Sequence, residues 1–441
     1  MLYYSLSDPL YTRSFSEAVI EGQALGGGLF FPQEIPFSKE IMTSPSALSL
    51  SELAVRLLEP MVTPDLQVET LRKICQETFN FPIPLVQVEP KLWVLELFHG
   101  PTAAFKDVGA RFLSRVISAI SKRRLTILVA TSGDTGGAVA HGFHGVEGVD
   151  VVILYPKGRV SPLQERQLTE LGGNITALEV DGSFDDCQRM VKSALRDEEL
   201  KRVRPLSSAN SINIARWLPQ SVYYAWALQQ LQERVKHVDP RPIMIVPSGN
   251  LGNLAAGIFA WRRGVKIGEM IAATNRNDGF CQYVKTGHFK AFPSVHTPSN
   301  AMDVGDPSNR TRVEALFGSD LTRLRSQLKA HSVTDLETLE SIKQAYQSRD
   351  YLLCPHSAVG YASYLHQLHQ GRANLEQEYI LLATAHPAKF AEVVSPLIGE
   401  APKLPLALQE LSALSIPSYP SSSLPPNERA LKDYLYSSLT S

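Results

Sequence analysis

The sequence is short of most features that mark membrane, secreted or nucleic-acid-binding proteins. Its 441 residues include only 4 cysteines: Cys75, Cys187, Cys281 and Cys354. These are widely scattered and none shares the short spacing of a metal site, so they read as reduced, partly buried thiols of a cytosolic protein. At the start, Asp8 interrupts the chain and no basic segment precedes an apolar run, so no signal peptide is expected. No stretch approaches the ~18–20 consecutive apolar residues of a membrane span. A cytoplasmic protein without a membrane partner is the expectation.

An excess of charge of one sign is missing too. Lysine and arginine number 43 against 44 acidic residues, for a formal net charge of −1, which excludes the cationic surface a nucleic-acid binder needs. That balance says nothing of small anionic ligands, because local groups decide those. The histidines show no HExxH or other metal spacing. His141 and His144 fit structural or solvated roles on a helix face, and no metal site is expected.

What is present points to an α/β fold. The chain is too long for one core and implies two or three domains. Leu53, Leu57 and Leu58 recur at helical spacing in the first 90 residues. Thereafter short apolar runs alternate with helical patterns: Leu92–Leu95, Thr126–Ala130, Val151–Tyr155, Ile243–Val246 and Ile380–Ala383. Continuous apolar strands between helices indicate parallel sheets covered on both faces. Gly26, Gly27 and Gly28 mark a turn before Leu29, and the basic groups Lys122–Arg124 and Arg262–Arg263 suit helix ends. Past residue 400, Pro402, Pro405, Pro417, Pro420, Pro425 and Pro426 with many serines suggest a tail that wraps the surface and carries no chemistry.

Two glycine loops follow strands and precede helices: Thr131-Ser132-Gly133-Asp134-Thr135-Gly136 and Pro247-Ser248-Gly249-Asn250-Leu251-Gly252-Asn253. They share a Ser-Gly-x-x-Gly core. Such loops let backbone N–H groups at a helix start face an anion. Neither is a Walker A loop or a GxGxxG, which disfavours nucleoside triphosphates and dinucleotides. Tight turn geometry alone accounts for a single loop equally well. The matched pair suggests two anionic groups held at once.

Lys106 is the sharper signal. In Phe98-His99-Gly100-Pro101-Thr102-Ala103-Ala104-Phe105-Lys106-Asp107 it stands near a helix start behind apolar residues. Both settings penalise its charge and favour a neutral amine able to attack an aldehyde. A solvated surface lysine fits the local sequence as well. An amine beside two anion loops suits pyridoxal phosphate (PLP), which offers one aldehyde and one phosphate.

The same segment resembles the cofactor-lysine block of threonine synthases, a branch of the fold type II PLP enzymes related to the tryptophan synthase β subunit. Ala130–Gly136, Ser208–Arg216, Pro247–Asn253, Ser299–Val304 and Ala383–Phe390 are similar to the family's other blocks and fall in its order. The resemblance implies two α/β domains plus an N-terminal subdomain: residues 1–90 as the subdomain, 91–125 with 205–400 as the large PLP-binding domain, 126–204 as a small mobile domain and 401–441 as the tail. It implies conversion of O-phospho-L-homoserine and water to L-threonine and phosphate, by a monomer or homodimer whose partner is that small molecule. Lys106 would be the catalytic residue and carry the cofactor as a Schiff base. Gly249, Asn250, Leu251, Gly252 and Asn253 would cradle the cofactor phosphate, and Thr384 would face the pyridine nitrogen. Ser132 and Thr135 would receive the substrate's carboxylate end, and Asn210, Ser211 and Arg216 its phosphate. Many fold type II relatives carry Asn where Asp134 stands, and its role stays open, as do those of His99 and His386. A sister lyase, giving 2-oxobutyrate, phosphate and ammonia, would share the lysine, both loops and the phosphate pocket.

Overall fold

The computed structural model describes residues 1–37, 48–235, 241–370, 377–413 and 422–437. Each apolar run becomes a buried strand, because burial on both faces leaves no polar alternation to preserve. Three sheets result. A small antiparallel sheet holds β1 (Leu2–Ser5), β2 (Asp8–Ser14) and β3 (Phe30–Pro32) in the order β2-β1-β3.

The largest sheet contains β4 (Leu85–Glu89), β5 (Leu92–Glu96), β10 (Ile243–Pro247), β11 (Glu269–Thr274), β12 (Leu328–Ser332) and β13 (Tyr379–Ala383). Its order is β12-β11-β10-β13-β5-β4, parallel except for β4 against β5. The third sheet is parallel throughout. It comprises β6 (Leu125–Ala130), β7 (Val149–Pro156), β8 (Ile175–Val180), β9 (Leu206–Ser208) and β14 (Ser422–Leu424) in the order β14-β8-β7-β6-β9.

The helices that matter below are α1 (Leu50–Val62), α2 (Lys106–Ile120), α3 (Asp134–Phe143), α4 (Pro162–Thr169), α5 (Phe184–Arg196), α6 (Ile214–Trp217), α7 (Gly252–Arg262), α8 (Arg310–Leu316), α9 (Pro355–His369) and α10 (Glu428–Ser437). Their starts are written locally. Ser49, Ser161 and Ser183 each form a reciprocal capping box with the residue three positions on, which satisfies donors the helix cannot pair itself. In α1 the periodic Leu53, Leu57 and Leu58 are all buried.

Strand membership departs from the linear division in three places. β4, within the first 90 residues, is an edge strand of the largest sheet, and β9, placed with the large domain, pairs with β6 instead. The tail does more than wrap the surface. β14 extends the small parallel sheet beside β8, and α10 buries Leu431 and Leu435 in the core that α5 also lines. Pro417 and Pro420 lie outside the described residues. No helix among the described residues is long and apolar enough to cross a membrane.

Candidate functional site

In the largest sheet β10, β13 and β5 are neighbours, with the chain continuing from β10 towards β11 on one side and β13 on the other. Such a reversal opens a crevice at the carboxyl ends of the strands. The carboxyl ends of these three strands lead into Ser248–Asn253, Thr384 and the Phe98–Lys106 segment respectively. Across from them come the ends of β6 and β9. Every residue that the sequence nominated lines the one cavity between these ends: Lys106, Gly249, Asn250, Leu251, Gly252, Asn253, Thr384, Ser132, Thr135, Asn210, Ser211 and Arg216.

Lys106 is placed by backbone pairing. Phe105 N–H donates to the carbonyl of Thr384 at 2.9 Å and His386 N–H donates to Ala103 at 3.0 Å, so the lysine segment and the β13 exit are clamped side by side. Ala103 takes a left-handed φ of 53° to make the bend. Asp107 fixes the other flank, accepting from Thr102 N at 3.0 Å and Thr102 Oγ1 at 2.6 Å. Gly100 is required there, since a Cβ would meet Asp107 Oδ2 at 2.5 Å. Burial lowers the Lys106 pKa to about 8; nearby Asp134 works against the shift, and Lys389 and Arg216 add to it. The side chain still keeps partial access through the cavity.

In the Ser248–Asn253 loop, Leu251 sits at φ 59°, which turns the chain into α7. Asn253 is held by two tyrosines: Tyr223 OH and Tyr224 OH donate to its Oδ1 at 2.6 and 2.8 Å. That leaves Asn253 Nδ2 buried without a protein partner. In the other loop Thr131 Oγ1 accepts from Gly133 N at 3.0 Å and Gly136 N at 2.7 Å, shaping the turn into α3.

The third cluster is also preorganised. Ser211 Oγ accepts from Asn250 Nδ2 at 3.1 Å and Asn309 Nδ2 at 2.9 Å. With its lone pairs engaged, the hydroxyl hydrogen is left to donate. Arg216, 2% exposed, anchors Nη1 on the Ala209 carbonyl at 2.7 Å, while its Nε has no partner. Asn210 lines the same cavity and is fixed by the backbone. Its amide pairs both ways with the backbone of Ala130, at 3.1 and 2.7 Å, so it chiefly ties the exit of β6 to the exit of β9. Beneath Ser211 lies Arg312 on α8, fully buried, donating to the Ser211 carbonyl at 2.7 Å and the Ile212 carbonyl at 2.7 Å, with Cζ 4.8 Å from the Trp217 ring. Sequence reasoning missed Arg312, whose partners are remote in the chain.

Asp134 gains a definite setting. Its Oδ1 accepts from Lys389 Nζ at 2.8 Å and from Gln164 Nε2 at 2.9 Å. Burial opposes ionisation, yet the Lys389 and Lys106 charges outweigh it and hold this carboxyl well below the usual range. Lys389, 0% exposed, also donates to the Thr102 carbonyl at 2.8 Å. One buried ammonium therefore joins the lysine segment, α3 and the β13 exit.

His99 pairs with Glu96 at 2.7 Å, and His386 caps the turn at Pro387 through its Nδ1. Neither lines the cavity. The histidine that does is His356, in the first turn of α9, which the sequence reading passed over. No cluster of His, Cys, Asp or Glu among the described residues suits a metal ion.

Residues 78–384 match the family described as pyridoxal-phosphate dependent enzyme, residues 2–79 the threonine synthase N terminus and residues 357–422 the threonine synthase C-terminal family. The chain is similar to the threonine synthase of Haemophilus influenzae, with 43% identity over 94% of this chain and 96% of that one. It is also similar to that of Escherichia coli, with 41% identity over 98% of each. The chain belongs to the threonine synthase family. The crystal structure of the Escherichia coli family member has a TM-score of 0.91 at 39% identity, covering 99% of this chain and 100% of that one. The PLP-bound threonine synthase from Brucella melitensis has a TM-score of 0.87 at 35% identity, covering 99% and 98%.

The cofactor of this family is pyridoxal phosphate, and the cavity fits it. A lysine of lowered pKa meets the need for a neutral amine. Asn253 Nδ2 and His356 Nδ1 are buried nitrogens without protein partners, and both residues line the same space. Leaving such groups unpaired costs about 1–3 kcal/mol each, which a ligand rich in anionic oxygen would recover.

Proposed function

We propose that this chain converts O-phospho-L-homoserine and water into L-threonine and phosphate, with the cofactor on Lys106. The observation that carries the reading is the second anion cluster. Ser211 and Arg216 line the same cavity as the α7 loop, and Ser211 has its hydroxyl hydrogen left to donate, so one ligand phosphate does not use all the donors. A neutral hydroxyl beside a guanidinium suits a phosphate dianion.

The α7 loop, Gly249 to Asn253, would take the cofactor phosphate, and Thr384 would meet the ring nitrogen. Ser132 and Thr135, at the start of α3, would receive the substrate carboxylate. When bound, the cofactor withdraws electrons from the carbons next to the substrate's amino group. Lys106 Nζ, neutral above about pH 8, accepts the α-proton and, once it has given that proton up and is neutral again, accepts a β-proton. Arg216 and Ser211 hold the phosphate as it leaves Cγ. Water then supplies a hydroxyl at Cβ, and protons return at Cα and Cγ. Keeping water out until that point requires a closed site. We propose that the small parallel sheet and its helices form a mobile domain that provides the closure.

Incubation of the purified holoenzyme with O-phospho-L-homoserine tests the reading. Threonine and phosphate in equal amounts support it, while 2-oxobutyrate with ammonia would replace it with a lyase.

A further inference from the structure

His356 is 3% exposed and stands in the first turn of α9. Its ring rests on Phe390 at 4.8 Å between centroids. The Ala301 backbone N–H donates to its Nε2 at 3.0 Å. A backbone amide is always the donor, so Nε2 carries no proton, and the neutral ring must bear its hydrogen on Nδ1. That nitrogen is buried and has no partner. Burial, reinforced by Lys106 and Lys389, also keeps the imidazole uncharged, with a pKa near 4 that Asp134 only partly raises. The ring is thus a fixed, neutral hydrogen-bond donor whose acceptor is missing from the protein.

The surroundings say what the acceptor is. His356 lines the cavity with Lys106, Asp134 and Thr384. The next residue, Ser357, accepts from Thr384 N at 3.2 Å, which sets the ring against the β13 exit. In pyridoxal phosphate the hydroxyl-bearing carbon adjoins the carbon that carries the aldehyde. A cofactor joined to Lys106, with its phosphate at Gly249–Asn253, presents that ring oxygen near Lys106 and away from the phosphate arm. Asp134, the charge that acts most strongly on Lys106, is ionised and can only accept. Lys389 is committed to Asp134 and to Thr102 and does not line the cavity. A donor is needed at this corner.

We infer that His356 donates its Nδ1 hydrogen to the ring oxygen of the bound cofactor and is a cofactor-binding residue of this enzyme. A neutral imidazole serves better than a charged one, because it stabilises the oxygen without adding a second mobile proton beside Lys106. The inference concerns the cofactor and rests on Lys106 as its attachment point. It does not depend on which phosphorylated amino acid is the substrate.

Two substitutions separate this role from mere support of Ala301. His356→Gln keeps an acceptor near the Nε2 position but loses the Nδ1 donor. His356→Asn keeps an amide nitrogen near Nδ1 but loses the acceptor. The full-length apoenzymes are titrated with PLP, and the visible absorption of the loaded proteins is recorded. The expectation is roughly tenfold weaker PLP binding and a shifted absorption maximum for His356→Gln, with His356→Asn close to wild type in both. Equal effects of the two variants, or a larger effect for His356→Asn, overturn the inference. Should the glutamine variant fail to fold, proton NMR of wild-type enzyme with 15N-labelled histidine decides. An imidazole N–H resonance that moves on addition of PLP supports the bond, and the lack of any such change refutes it. Neither experiment contains phosphohomoserine, so a wrong substrate assignment leaves the outcome intact.

Discussion

At the scale of single residues the site is a set of buried nitrogens with assigned duties. Lys106→Ala should remove all turnover while the thermal midpoint stays near that of the apoenzyme, because the methylene stem reaches into a cavity rather than into the core. Retained activity in this variant would overturn the assignment. The lowered pKa of Lys106 predicts how the apoenzyme captures PLP. Only the neutral amine attacks the aldehyde, so the rate should climb about tenfold per pH unit and level off above about 8. Stopped-flow reconstitution across pH 6–10 reads this directly, and a midpoint at the ordinary lysine value would contradict it. Lys389 makes a further prediction. Lys389→Met strands the Asp134 carboxylate in the interior, which should cost about 3–5 kcal/mol in denaturant unfolding. Adding Asp134→Asn should return most of that loss, since a neutral amide needs no counter-ion.

Several of these residues were legible in the sequence because their chemistry is local. Lys106 lies at a helix start and Gly249–Asn253 form one turn, so short stretches define both. Lys389, Arg312 and His356 were not legible. Their meaning comes from partners far along the chain: Asp134 for Lys389, the Ser211 and Ile212 carbonyls for Arg312, and Ala301 for His356. Asn210 shows the converse. Its position beside Ser211 was evident, but its pairing with the Ala130 backbone is something spacing alone cannot reveal.

At the scale of elements, three adjacent strand ends do most of the positioning. The clamp between Ala103–Phe105 and Thr384–His386 means that β5 and β13 move together, so the attacking amine and the residue facing the ring nitrogen stay in register. Gly109 tests a second junction. A Cβ there would come within 2.7 Å of the Arg216 carbonyl and 3.0 Å of its Nε. Gly109→Ala should therefore push α2 from α6 and raise KM for the phosphorylated substrate more than it weakens PLP binding, as steady-state kinetics beside cofactor titration would show. The alternation of strands and helices was readable from apolar runs alone. β14 was not, because a three-residue strand in a proline- and serine-rich tail has no hydrophobic run of its own; its place comes from the edge that β8 offers.

At the scale of the whole molecule, the two larger sheets present the ends of their parallel strands to a shared cavity, and closure is the remaining requirement. A substrate analogue should shrink the radius of gyration in small-angle scattering as the small sheet closes; an unchanged value would count against a mobile domain. The C-terminal segment belongs to that same unit through Leu431 and Leu435. Leu431→Ala should cost about 2–5 kcal/mol, seen in denaturant unfolding, with little change in PLP affinity.

The most direct measurement is reduction of the holoenzyme with borohydride followed by proteolysis and mass spectrometry. The cofactor mass should be found on the peptide that contains Lys106 and nowhere else. Finding it on Lys389, the other buried lysine of this region, or on no lysine at all, would contradict the arrangement described above.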